Sequence, residues 1–469
     1  MYEKNFDSPH NEELKNLVEQ YESMIQNNQQ FFFDEGAYEQ LLTYYEDRFD
    51  YDKAMDLAER AIDQYPFSST FLVRKAQLLF DAKVSYEALD ILDKAEVFDP
   101  MDTGIYLLRC DIYLWLSEHQ KAADSIFNAL DKAEKDELPD LYLELADVYE
   151  DGEKYDQVIT YLAKALELNP KHEEALNRLW FSVAMTERYE ESIDFHKKLI
   201  DEEPYSYLAW YNLAHAYSGL GLYEKAVESF EFVYAINEAC DYAYCDCADI
   251  QSKLGHYQKA VDLYLEALNY TKPTRELYFN IADNYQKLYQ FPKARYYFRK
   301  AANINPKFDL IFHKIGECYK AEGKWENAIP PYERAFQLNP NKIDYQIALG
   351  EVYFQTGQYE SAAQIYEQMM NVEPNDEATY FKLAKSYFET GDQDYALFLM
   401  DEAEEKFHHN TNILYHKAAF LYLMSRRSEC IDILHNALAR DYESHTLFLD
   451  LAPGAFQDAI VRDVIESYQ

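Results

Sequence analysis

The feature that most constrains this chain is a repeat of 34 residues. The segments starting at Ala209, Leu277 and Ile311 align without gaps in one register. The register extends both ways, with units starting at Glu35, Ser69, Thr103, Pro139, Glu173, Tyr207, Asp241, Arg275, Asp309, Ile343, Glu377 and Thr411. One interval is 36 residues, where Lys135 to Leu138 loosens the join. Apolar residues recur at helical spacing, so each unit predicts two amphipathic helices. The eighth position is Ala, Gly or Cys in ten of the twelve units. The twentieth and the twenty-seventh are each Ala in nine. Small residues there let the two helices approach closely, while larger ones such as Tyr285 and Phe298 fill the space between hairpins. Proline at the thirty-second position, as in Pro170 and Pro374, stops the second helix. A lone hairpin cannot bury its own apolar face, so neighbours must stack. The predicted fold class is all-α, an α-solenoid of antiparallel helix hairpins, with twelve units over residues 35–444.

The flanking segments, residues 1–34 and 445–469, are expected to be capping helices. Leu14, Leu17, Val18, Tyr21, Met24 and Ile25 share a helical face near the start. Phe456, Ile460, Val464, Ile465 and Tyr468 do so after Pro453-Gly454. A solenoid's terminal repeats must hide their apolar ends. An alternative for either end is a homodimer seam through a terminal helix.

Two units carry a signature most fully. Trp210, Leu213, Ala214, Tyr217, Ala226 and Phe230 form one instance, and Phe312, Ile315, Gly316, Tyr319, Ala328, Tyr332, Ala335 and Pro340 another. The pattern resembles the tetratricopeptide repeat family, over about nine tenths of the chain. The resemblance implies a right-handed superhelix whose concave groove is lined by the first helix of each hairpin. It also implies a ligand that is an extended peptide or a helix of another protein.

By that resemblance the second, fifth, sixth, ninth, twelfth and thirteenth positions face the groove. The ninth holds Asp111, Asp147, Asp249, Asp283, Glu317 and Glu351, with His215 in the unit from Tyr207. The unit from Pro139 adds Asp140, Glu144, Glu150 and Asp151. Beside these acids stand Phe181, Tyr211, Phe279, Phe354, Phe381, Phe388, Tyr415 and Tyr422. Asn212 and Asn280 are placed to bond a peptide backbone. Carboxylates pair with guanidinium groups and ring faces attract cations, so this lining suits a Lys- or Arg-containing partner. The competing reading of the acids is a merely solvated face. Some relatives grip an acidic C-terminal tail with a lysine at the fifth position. Here residues such as Leu143, Asn177, Tyr211 and Phe279 stand at that position, and no unit has lysine there. Binding of such a tail through that device is not expected.

Two departures stand out. In the unit from Glu173, Trp180 occupies a small-residue position, and Ser192 and His196 replace the usual alanine and aromatic. Trp180 is expected to widen the helix crossing or swing outward, either as local repacking or as part of a pocket with Phe181 and Met185. Pro330 and Pro331 fall within a second helix, where proline removes backbone donors.

Charge and motifs exclude several functions. The net charge is −41, from 85 acidic and 44 basic residues. Such a surface repels phosphates and anionic lipid, which argues against nucleic acid, and it attracts basic partners. The same acids keep a long helical array soluble. No stretch approaches the ~18 apolar residues of a membrane span, and no basic segment followed by an apolar run opens the chain. With six cysteines in no disulfide-like framework, the expected location is cytoplasmic. Cys240, Cys245 and Cys247 lack the spacing of a zinc site, and His408-His409 has no second ligand pattern. Phosphate-binding, nucleophile-elbow and zinc-protease motifs are absent. Outside the repeats, 34 residues precede and 25 follow, which leaves no room for a catalytic domain. The expected function is a non-catalytic scaffold or adaptor, without cofactor or metal, that captures a basic protein or peptide. Alternatives are a chaperone-like assembly factor for a basic client, or an enzyme such as a phosphatase built on a helical array.

Overall fold

The computed structural model describes residues 9–27, 32–372, 374, 376–408 and 410–469. The first eight residues and His409 lie outside them. Among the described residues the chain forms helices and no strand. It is an all-α solenoid. First helices begin at Glu35, Ser69, Thr103, Leu138, Glu173, Tyr207, Asp241, Arg275, Asp309, Ile343, Glu377 and Thr411. The fourth starts one residue ahead of Pro139, which sits in its first turn, where a missing N–H costs nothing. Asp34, Asp102, Ser206, Thr274, Asp376 and Asn410 cap first helices by accepting backbone N–H groups. Pro100, Pro170, Pro204, Pro306 and Pro340 each lie two residues beyond the end of a second helix.

Packing explains the small residues. Every alanine at the eighth, twentieth and twenty-seventh positions is fully buried. Glycine at the eighth allows a still closer approach. A Cβ on Gly316 would meet the Tyr332 ring at 2.6 Å, and one on Gly350 the Tyr366 ring at 2.6 Å. Phe230, Phe298 and Tyr264 are buried where neighbouring helices meet. A fully buried ring contributes about 2–3 kcal/mol.

The turn inside each hairpin has one invariant. Its fifteenth position has positive φ in every unit, from Phe49 to Ser425. Five of these residues are glycine, and Phe49, Lys83, Ser117, Glu153, Glu187, Tyr289 and Ser425 adopt the same left-handed conformation. It lets the next N–H reach back to the eleventh carbonyl, as Val84 does to Leu79 and Gln290 to Tyr285. In the unit from Glu173 the reach fails, and Tyr189 N–H bonds the Glu187 carbonyl instead.

That unit is also open. The Glu173–Thr186 helix packs on Tyr155–Leu168 and Tyr207–Gly219 but barely touches its own partner, Tyr189–Glu202. Trp180 stands where others carry alanine, and its ring lies against His215 with centroids 5.1 Å apart. His196 is fully buried, its Nδ1 against the Ser192 carbonyl at 2.7 Å, and burial lowers its pKa to about 4. Pro330 and Pro331 lie within the continuous Trp325–Leu338 helix.

The chain divides after Glu238 into two compact units. In the first, Val18, Tyr21 and Met24 of the Pro9–Gln26 helix join the core of the next two helices. At the far end of the second, the tail is more broken than one capping helix. Thr446–Leu451 and Ala459–Glu466 are separated by a turn over Pro453–Gln457. Its inward face is Phe448, Ala455, Val461 and Ile465, whereas Phe456 and Ile460 point to solvent. The last helix begins only at Ala459, capped by Asp458, so Phe456 lies outside it in the preceding turn and the inward face falls on Val461 and Ile465 instead of Ile460. No helix among the described residues is long and apolar enough to cross a membrane.

Candidate binding face on the first helices

Successive first helices touch through side chains at the groove positions, and those contacts decide how each acid behaves. In the first unit, Arg178 reaches from the sixth position of one hairpin to the preceding one. It pairs with Asp147 and Glu150, and Glu174 lies 3.8 Å away. Glu144 and Asp111 make no ion pair among the described residues. Three carboxylates therefore share one guanidinium, with Glu144 and Asp111 beside them and unpaired. Burial raises the pKa of Asp111. Burial also raises Glu144, helped by the charges of Asp147 and Asp111. Asp147 is raised by burial as well, in spite of Arg178. Asp140, at the edge of this cluster, meets His172 at 3.2 Å.

The second unit treats its acids differently. Glu317 accepts from Gln286 at 3.1 Å and Lys314 at 3.0 Å, with His313 at 3.4 Å. Burial pushes its carboxyl up, but these donors outweigh it and bring the pKa down to about 2. Glu351 pairs with Lys320 at 2.6 Å, and Asp283 with Lys287 at 2.9 Å. Asp249 accepts from the Tyr264 hydroxyl and, at 3.5 Å, from the Asn280 amide. Burial is the main reason its carboxyl is raised. The acids at the ninth position do not form one bare stripe. An acid is neutralised where a neighbouring helix offers a cation at its sixth or twelfth position, or its own helix offers one a turn away.

Several aromatic and amide positions are corrected by the structure. Asn212 is buried, and its amide donates to the Leu176 carbonyl at 2.8 Å, so it braces two helices instead of meeting a peptide. Asn280 is spent on Asp249. Tyr211 is buried and packs on His215 with centroids 4.4 Å apart. Tyr415 is wholly buried, its hydroxyl donating to the Asp441 carbonyl. Phe279 is half-buried against Phe298. Phe181 stays exposed beside Tyr155, and Phe381 stacks on His416 at 3.7 Å.

Cys110 and Cys318 are buried, and burial pushes both thiols up to about 12, which suits small apolar packing groups. Among the described residues no group of three His, Cys, Asp or Glu is placed to hold a metal.

Tetratricopeptide repeat models match residues 139–172, 207–240, 246–276, 276–308 and 319–387. The chain is a tetratricopeptide repeat protein. It is 35% identical over 91 residues to the peroxisomal targeting signal receptor of Kluyveromyces lactis, covering 19% of this chain. It is 33% identical over 90 residues to that of Candida glabrata, again covering 19%. The matches span only 16% and 15% of the length of those receptors. Among solved structures it is similar to YrrB, a tetratricopeptide repeat protein with an unusual peptide-binding site. The identity is 19% and the TM-score 0.35, over 39% of this chain and 95% of that one. Tetratricopeptide repeats are protein-interaction modules, and the models match this chain at intervals from residue 139 to residue 387.

Proposed function

We propose that the chain is a non-catalytic scaffold whose first unit captures a Lys- or Arg-rich segment of a protein partner. One observation supports this reading above the others. Asp147, Glu150 and Glu174 share the guanidinium of Arg178, while Asp111 and Glu144, close enough for their charges to act on one another, hold no cation of their own. Asp111, Glu144 and Asp147 are raised, chiefly by burial, so a further cation beside them would lower the cost of holding them charged. A guanidinium or ammonium group from a partner supplies that cation and forms charge-assisted hydrogen bonds. Exposed Phe181 and Met185, on the next first helix, offer apolar contact to the stem of such a side chain.

Asp111 and Glu144 are the residues to change, because neither holds an internal ion pair. Fluorescence anisotropy with a labelled Arg/Lys-rich dodecapeptide is the measurement. The Asp111→Lys/Glu144→Lys protein is expected to bind it at least about tenfold more weakly at low salt. Wild-type affinity is expected to fall steeply as salt rises. Equal affinity of the two proteins would overturn the reading.

A further inference from the structure

The ninth position changes sign near the end of the array. After Glu317 and Glu351 it is Lys385, on the Glu377–Thr390 helix. This lysine is exposed, and no carboxylate among the described residues lies within ion-pair distance of it. That is unusual on a chain of net charge −41. Most other cations on first helices are taken, among them Arg178 by Asp147 and Glu150, Lys314 by Glu317, Lys320 by Glu351, and Lys417 by Asp401 and Glu404, whereas Lys253 makes no ion pair among the described residues and lacks a flanking carpet of rings. Glu389, one turn beyond Lys385, makes no ion pair with it. Lys382, one turn before, has no ion pair either.

What flanks Lys385 is aromatic. Its ammonium lies 5.0 Å from the centre of the Phe354 ring on the preceding first helix. On the following one, His416 stacks on Phe381 at 3.7 Å, and Phe420 on Phe388 at 4.8 Å. Burial first, and Lys385 second, bring the His416 pKa down to about 4, so at neutral pH it is an uncharged ring. Phe354, Phe381 and Phe388 are half-buried, each packed on the core beneath and leaving an edge or face outward. The result is a carpet of rings around an unpaired cation, with the adjacent acid, Glu351, already held by Lys320.

We infer that this face docks a partner segment that combines apolar or aromatic side chains with a carboxylate, the carboxylate meeting Lys385 and the apolar groups covering Phe354, Phe381 and Phe388. Charge complementarity selects the acid, and the rings reward an apolar neighbour. A basic segment is rejected here by the same lysine that attracts an acidic one. The inference does not depend on the acid cluster of the first unit; together the two faces make an adaptor with ends of opposite preference.

The experiment is selection of a random dodecapeptide phage library on the immobilised full-length protein, in four forms: wild type, Lys385→Glu, Lys385→Arg, and Asp111→Lys/Glu144→Lys. Wild type is expected to enrich peptides that pair Asp or Glu with Phe, Leu or Trp. A synthetic peptide of their consensus should bind Lys385→Glu about tenfold more weakly in anisotropy, and Lys385→Arg nearly as well as wild type. The first-unit variant should retain these peptides and lose only the Lys/Arg-rich ones, so the two readings fail separately. Recovery of acidic peptides lacking apolar residues, acidic–apolar peptides that bind Lys385→Glu unchanged, or no such peptides at all overturns the inference. Because Lys385 is exposed and unpaired, both variants should melt with wild type, which circular dichroism verifies.

Discussion

Glu144 and Glu317 are both half-buried glutamates on first helices, yet they sit at opposite ends of the electrostatic scale. Burial and the charges of Asp147, Asp111 and Glu174 outweigh a distant share of Arg178 at Glu144, so its carboxyl is raised. Glu317 has Lys314, Gln286 and His313, so its carboxyl is depressed to about 2. Glu144 holds the sixth position of its unit and Glu317 the ninth, and what differs is the set of donors beside the acid: Lys314 and His313 from Glu317's own helix and Gln286 from the preceding first helix. In a repeat array, then, the charge of a groove position depends on the donors around it as much as on the residue that occupies it.

The contrast breaks most severely at its one counterion. Arg178→Met leaves Asp147, Glu150 and Glu174 without their counterion, beside the unpaired Glu144. It is expected to cost about 2–3 kcal/mol in urea denaturation, less than a fully buried pair because water reaches Asp147. Hydrogen exchange should locate the loss in the Leu138–Asp151 and Glu173–Thr186 helices. A loss below about 0.5 kcal/mol would mean that the cluster is solvated well enough to need no counterion.

A matched pair of substitutions should then differ in sign. Glu317→Gln discards the Lys314 ion pair and the His313 contact and is expected to destabilise by about 1 kcal/mol, while Glu144→Gln relieves repulsion and stabilises by about 0.5 kcal/mol. Shifts of the same sign would erase the distinction between the two regions. Lys320→Met is milder. Both members of its pair with Glu351 are about a third exposed, so a loss under about 1 kcal/mol is expected, with no effect on the Leu138–Asp151 helix.

The gentlest test changes no residue. Carboxyl NMR should show Glu317 titrating near pH 2, and Asp111, Glu144 and Asp147 above the usual carboxylate range. The two groups bear on stability in opposite directions. The depressed Glu317 adds stability that is complete above its unfolded pKa and is lost as pH falls toward 2. The raised carboxyls bind protons more tightly when folded, so their penalty disappears as pH falls through their raised values. Local exchange protection of the two regions should therefore diverge on mild acidification.

Much of this architecture was legible in the residues. The Ala of the eighth, twentieth and twenty-seventh positions marks close contacts because only small side chains fit there, and Trp180 marks the hairpin that opens. The acids at the ninth position were legible as positions. Their neutralisation was not, because Arg178 and Lys320 act across helices and belong to other repeat positions. Asn212 and Tyr415 misled for the same reason: a groove position can turn inward when a neighbour's carbonyl, at Leu176 or Asp441, offers a bond. The tail face slipped because the last helix starts only after the Asp458 cap, which leaves Phe456 in a turn and out of phase with the residues beyond it. Lys385 was in view as a residue, and what conceals its character in the sequence is that Phe354 and His416 come from helices on either side.

The left-handed turn residue has a consequence of another kind. At the fifteenth position the chain obeys a rule about backbone sign that side-chain identity does not enforce, since Phe49, Glu153 and Gly255 all satisfy it. The array thus has twelve interchangeable joints. Tyr289→Gly should relieve about 1 kcal/mol of backbone strain, and Gly255→Ala should add a similar amount, though nothing lies within 4 Å of the added methyl. Hybrids cut at these joints, exchanging whole stretches between two such arrays, would keep every helix in phase. A single residue inserted at one of them would throw the next hairpin out of step with its neighbour.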